Sequence, residues 1–195
     1  MVPFLQAQGH EVQVTWDFDS LPGLADSNTD IVMLYTCLNG KEADDLEGKD
    51  FSAEQTAALS SWVAAGGGLL ALHAATVSGS GNPEKARLLG GTFVSHPPDL
   101  LTFAVTPVDQ QHPITDGIGA FEVFDEFYIE RHDDSVDIHM TAELDGDVYP
   151  MVWSRSEDQG RVVHIAPGHD QRVWNLPAYR KLVLQSMDWL VSGVS

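Results

Sequence analysis

The sequence holds a single cysteine, Cys37. This excludes a disulfide framework within the chain and a cysteine-rich zinc site. Lysine is scarce, at four residues, and all bases number 10 against 29 acids, for a net charge of −19. A field of that sign repels phosphate backbones, so no nucleic-acid partner is expected. No run approaches ~18 uninterrupted apolar residues, so neither a membrane-spanning helix nor a membrane partner is expected. A basic segment leading into an apolar one is also lacking at the start, which predicts no secretory signal and a cytoplasmic location. Two readings of the acidity stay open: adaptation to concentrated salt, which screens surface repulsion, and an ordinary acidic composition.

What is present is enough for a core. The 195 residues are 43% hydrophobic and form no internal repeats or charge blocks. One domain over 1–195 is expected. Residues 1–9 read as the tail of a helix stopped by Gly9, and Glu11 to Trp16 alternates as a strand does. Ile31 to Tyr35 is a continuous apolar run, the mark of a strand covered on both faces. Ser52-Ala-Glu-Gln55 is a capping box, and Leu59, Trp62 and Val63 share the face of the helix behind it. Gly66 to Gly68 ends that helix before a second buried strand, Leu69 to Leu72. Asn82 and Pro83 open a short helix that Gly90 and Gly91 stop. Leu100 to Val105, Phe121 to Arg131, Val136 to Leu144, Val148 to Arg155 and Arg161 to Ile165 read as strands, the later ones joined as hairpins. Pro177 begins a closing amphipathic helix, with Gly193 just past its end.

The predicted fold is α/β, a three-layer sandwich with a mostly parallel sheet, an antiparallel extension and helices on both faces. Such sheets usually open with a buried strand and loop. Here the chain starts within what reads as the first helix, so the first strand is expected to be missing, leaving a gap between two strands.

In open α/β sheets, ligands sit beyond the carboxyl ends of the parallel strands. His73 and His169 both follow predicted strands, so they are the candidate catalytic pair. The plain alternative is that each caps a strand through backbone hydrogen bonds. His10, His132, His139 and His164 read as surface or sheet residues. In Phe124-Asp-Glu-Phe-Tyr128, a carboxylate between aromatics needs a partner if buried. Strand alternation puts Asp125, Phe127 and Ile129 on one face and Glu126 with Tyr128 on the other. Glu126 is a candidate base or substrate-orienting group. His73, Glu126 and His169, with His96 as an optional fourth, would suit a divalent metal such as zinc, although no His spacing motif supports one. Cys37 has neither a written base nor an elbow around it and reads as an inert thiol. The glycines at 66–68 precede a strand and lack the G-K-[ST] of a phosphate loop.

The segments Gly66-Gly-Gly-Leu-Leu-Ala-Leu-His-Ala-Ala-Thr76, Leu88-Leu-Gly-Gly-Thr-Phe-Val-Ser-His-Pro97, His112-Pro-Ile and Phe124-Asp-Glu-Phe-Tyr128 are familiar together. So are Pro150-Met-Val-Trp153, Gly168-His-Asp170 and Tyr179-Arg-Lys-Leu-Val-Leu. From about Ile31 onward, in this order, the chain resembles the ThuA-like (trehalose utilisation) family. The resemblance implies the flavodoxin-like fold of class I glutamine amidotransferases. It also implies no glutaminase chemistry, since Leu72-His-Ala stands where those enzymes carry their cysteine. It points to trehalose and related disaccharides, alongside sugar oxidoreductases that handle 3-keto sugars. By motif position it assigns the pocket to His73, His96, Glu126, Tyr128 and His169. Pro167 departs from the small or aliphatic residue expected before Gly168.

The expected partner is a small carbohydrate, with homo-oligomerisation left open. His73, His169 and Glu126 are the expected catalytic groups. His96, Tyr128, Trp174 and Asp125 are the expected substrate-binding ones, with Tyr128 and Trp174 supplying aromatic faces to a sugar. A non-catalytic sugar-binding or accessory domain, or a truncated inactive homologue, are the competing readings.

Overall fold

The computed structural model describes residues 1–36, 51–108 and 111–192. Cys37 and Gly193 lie outside the described residues. The chain opens with α1 (Val2–Ala7), passes a 3-10 helix over Phe18–Asp26, and enters the sheet at β1 (Ile31–Leu34). Then follow α2 (Ala53–Ala64), β2 (Gly68–Leu72), a 3-10 turn from His73, α3 (Pro83–Leu89), β3 (Gly91–Ser95) and β4 (Leu101–Pro107). The second half supplies β5 (Phe121–Asp125), β6 (Ile129–His132), β7 (Asp137–Leu144), β8 (Asp147–Glu157), β9 (Gly160–Ile165), α4 (Gln171–Trp174) and α5 (Pro177–Val191).

The capping box forms as written. The Ser52 hydroxyl accepts from the Gln55 amide at 3.1 Å, and the Gln55 side chain accepts from the Ser52 amide at 2.8 Å. Two of the orphan amides that open α2 are thus satisfied. Asn82 caps α3 by accepting from the Lys85 amide, and Gly90, at φ 73°, ends it in the left-handed conformation a glycine tolerates.

Seven strands make one sheet in the order β1-β2-β9-β8-β7-β4-β5, and β3 pairs with β6 apart from it. Only β1, β2 and β9 run parallel; every neighbour pair from β9 to β5 is antiparallel. The α/β class and the antiparallel extension are as expected, but the extension is the larger part of the sheet. Alternation along the central strands divides the core. Leu70, Leu72, Val163 and Ile165 face α5 and the antiparallel part. Leu69, Ala71 and Val162 face α2 and α3, where Leu59, Trp62, Val63 and Leu88 close over them.

Two strand expectations fail. Residues 11–16 form no strand; Val14 and Trp16 are exposed, at 59% and 82%. The sheet begins at β1 as an edge, so the anticipated gap between two strands does not occur. Alternation is only a local signal, and a strand exists only where a neighbour takes its hydrogen bonds. The stretch 121–131 is not continuous either. It breaks at 126–128, with β5 on the large sheet and β6 on the small one. β3 and α4 are elements the sequence did not announce.

The β8–β9 hairpin packs against the end of α2, where the Gln159 amide donates to the Ala64 carbonyl at 3.1 Å. A Cβ on Gly160 would run into the Val63 carbonyl and stand 2.6 Å from that of Gly67. Backbone cannot yield as a flexible side chain does. Gly160→Ala is therefore expected to destabilise the protein by at least about 1–3 kcal/mol, read as a lower midpoint in denaturant unfolding.

His139, on β7, is fully buried, bonded to Ser154 Oγ at 2.7 Å and stacked on His112 at 4.1 Å. Burial, and then the nearby His112, lower its pKa to about 4. Unfolding returns it to ~6.5, so the unfolded state binds the extra proton between these values. Stability from this residue is complete above about pH 6.5 and declines toward pH 4, by up to about 3 kcal/mol. A series of melts across that range should show the decline, and His139→Gln should flatten it.

Candidate functional site

Three strand ends meet at one edge of the sheet. β2 delivers His73, β9 delivers the segment 166–169, and β5 delivers Asp125 and Glu126. β5 is six places along the sheet from β1, yet its end bonds to the end of β9, so the sheet curls round. The convergence of His73 and His169 expected from their places after strands is present: their ring centroids are 5.5 Å apart.

His73 turns out of β2 with φ 43°, a left-handed conformation rare for a residue with a Cβ. Its surroundings hold it there. Nδ1 lies 2.8 Å from the Ala166 carbonyl and Nε2 lies 3.1 Å from Glu126 Oε2. The Tyr128 ring stacks on it at 4.1 Å and 27°. A carbonyl can only accept, so Nδ1 carries the hydrogen and Nε2 faces the carboxylate. The same Oε2 lies 3.2 Å from His169 Nδ1. One carboxylate oxygen is thus shared by two imidazoles, one buried and one 41% exposed at the side chain. Burial lowers the His73 pKa, against the pull of the Ala166 carbonyl, Asp125 and Glu126, which favours a neutral ring at neutral pH.

Asp125 was expected to bind substrate and to point away from Glu126. Glu126 and Tyr128 do share a side, since both meet His73, while Asp125 reaches the backbone of the 168–169 loop and not the opening. Asp125 is 1% exposed, and its oxygens accept from the amides of Gly168 at 2.6 Å, His169 at 3.2 Å and Glu126 at 3.0 Å. It holds backbone instead of facing the opening. Burial raises its pKa, and the backbone amides and His73 oppose the rise.

Aromatic donors complete the loop. Tyr179 Oη donates to the Pro167 carbonyl at 3.1 Å, Trp174 Nε1 to that of Gly168 at 2.6 Å, and Tyr35 Oη to that of His169 at 2.8 Å. Gly168 has φ 140°, and a Cβ there would be 2.6 Å from Tyr179 Oη, so glycine is required on two counts. Pro167, the departure noted in the sequence, is buried in this loop.

The remaining predicted residues flank the centre. Tyr128 is 5% exposed and stacked against both His73 and His96, which leaves it part of the wall. His96 is exposed, its Nδ1 lies 2.6 Å from the Pro97 carbonyl, and its ring is 5.9 Å from that of Tyr128. It stands outside the group of His73, Glu126 and His169, whose ligand-type atoms all lie within 4.8 Å of one another. Trp174 is half-buried and meets Tyr35 edge-on at 5.3 Å.

Sequence reasoning missed Tyr35, Thr76, Glu130 and Tyr179. Thr76 Oγ1 donates to Glu130 Oε1 at 2.5 Å, and Glu130 Oε2 lies 3.0 Å from His164 Nε2. This buried group ties the turn after His73 to the strand after Tyr128. Glu130 stands four residues beyond Glu126 and two past the end of that motif, a signal that was available; the tyrosines left none that local pattern could show.

The profile of a family described as trehalose utilisation, ThuA, matches residues 2–190. The chain belongs to the ThuA family. Its fold is similar to that of a ThuA-like protein from Bacteroides uniformis ATCC 8492, at 18% identity and TM-score 0.78, over 100% of this chain and 84% of that one. A cytoplasmic protein of Salmonella typhimurium, STM3548, matches at 14% identity and TM-score 0.68, over 97% of this chain and 85% of that one. A cold-adapted β-galactosidase of Rahnella sp. R3 matches at 13% identity and TM-score 0.59, over 84% of this chain but 23% of that one. No curated protein matches the sequence. Among the described residues no helix is long and apolar enough to cross a membrane.

The Asp125 carboxylate is the clamp on this ThuA-type loop. Asp125→Asn puts an NH2 group where amides need acceptors. It should lower stability by about 2 kcal/mol or more and speed amide exchange at Gly168 and His169. Unchanged exchange at those two amides would remove the clamp from the account.

Proposed function

We propose that the protein acts on a carbohydrate of the trehalose type, a disaccharide or its keto form, at the His73–Glu126–His169 centre. The observation that carries this reading is the single Glu126 oxygen shared by two imidazoles beyond the ends of β2 and β9. Membership of a trehalose-utilisation family supplies the substrate class at family level only.

The chemistry follows from where each group stands. His169 and Glu126 are open to solvent and are the groups a sugar hydroxyl or carbonyl would meet first. His73 is buried, with its orientation set by the Ala166 carbonyl, and acts on the sugar through the edge it turns toward Glu126. Proton movement at such a centre needs an imidazole that is not permanently charged, which the burial of His73 favours. His96 and Trp174, at the rim, would contact the rest of a sugar.

The competing reading is a binding or accessory domain, favoured by the likeness to a 23% portion of a β-galactosidase chain. Calorimetric titration with trehalose, sucrose and their 3-keto forms, followed by mass spectrometry of the mixture, separates the two. Heat with a new product supports the enzyme; heat with unchanged sugar supports the module.

His73→Ala and Glu126→Gln should each lower turnover about 100-fold or more while keeping a cooperative melt. Wild-type rates in both folded variants would refute the assignment.

A further inference from the structure

We infer that His73 Nε2, a Glu126 carboxylate oxygen and a ring nitrogen of His169 are the three protein ligands of one divalent transition-metal ion, with a further position open to solvent. The inference deepens the reading above, rests on the same site and shares its Glu126 distances, but it is tested by metal binding and not by turnover.

The first support is spacing. Ligand atoms about 2 Å from a tetrahedral ion stand about 3.3 Å apart. Two edges of the trio, from Glu126 Oε2 to His73 Nε2 and to His169 Nδ1, are 3.1 and 3.2 Å, and every edge is within 4.8 Å. Seating an ion requires the edge between the two imidazoles to come to about the same length.

The second is the tautomer of His73. Its Nδ1 is committed as donor to the Ala166 carbonyl. A ligating imidazole is typically held in this way by its other nitrogen, which aims the lone pair and raises its basicity.

The third is the distribution of burial. His73 is closed off at 2% side-chain exposure, while Glu126 is at 20% and His169 at 41%. The trio therefore has a fixed floor and an open front. Three protein ligands with a vacant direction are the pattern of a catalytic ion, as opposed to a closed structural one.

The donor set decides the class of metal. Two imidazoles with one carboxylate suit zinc, cobalt, nickel or iron, and suit magnesium or calcium poorly, since those prefer all-oxygen shells. Such an ion would polarise a sugar hydroxyl or carbonyl oxygen.

The test is calorimetric titration of chelator-treated full-length protein with Zn2+, and with Co2+ followed by visible absorption. One ion per chain is expected, with ligand-field bands of a low-coordinate cobalt site. Glu126→Gln and His169→Ala should each bind at least about 100-fold more weakly, because removing even an outer-shell partner costs 10–100-fold. His132→Ala, on β6 and outside the trio, should bind as wild type does. No heat and no cobalt bands in the wild type, or equal binding in the trio variants, would overturn the inference in favour of a proton-linked centre. Failure here leaves the sugar reading testable by product analysis, and a metal-binding protein inert toward every sugar would overturn that reading alone.

Discussion

The buried carboxylate of Asp125 is the constraint on which the site depends. It accepts from the amides of Gly168 and His169, on a distant segment after β9, and from that of its own neighbour Glu126. Those strands are not neighbours in the sheet. A carboxylate taken out of water must find several donors, and here they are supplied by the loop it organises. The same contacts that join the end of β5 to the end of β9 set Glu126 beside the two imidazoles.

Around that clamp the candidate site is held by residues behind it. Each carbonyl from Pro167 to His169 is taken by an aromatic donor, from Tyr179, Trp174 and Tyr35. Behind His73, Thr76 reaches Glu130, and Glu130 reaches His164. A left-handed backbone at His73 persists because both ring nitrogens and one ring face are engaged. Pre-organisation of this kind holds the side chains of His73, Glu126 and His169 in register.

Much of this was legible locally. The capping box at Ser52 and Gln55, the caps around α3, the buried strands β1, β2 and β9 and the closing helix all follow from spacing and side-chain chemistry. So did the approach of His73 and His169, because parallel strands in one sheet bring their carboxyl ends to one side. The errors share a cause. Residues 11–16 alternate as a strand does but gain no partner. Phe121 to Arg131 reads as one strand because β-branched and aromatic residues run through the turn at 126–128. Both outcomes depend on neighbours distant in sequence.

By itself, then, the sequence determined the α/β class, most of the elements, the family, and which histidines and acid stand at strand ends. Periodicity, caps and chain order carry that information within a few residues of each position. Only the tertiary structure decided that Glu126 is shared by His73 and His169, that Asp125 turns inward to bind backbone, and that Tyr128 serves as wall. Those roles are set by the curl of the sheet and by contacts across 40 or more residues, such as Asp125 with Gly168 and Glu126 with His73. No local pattern encodes them, because the direction of a side chain at a strand's end depends on what packs beside it.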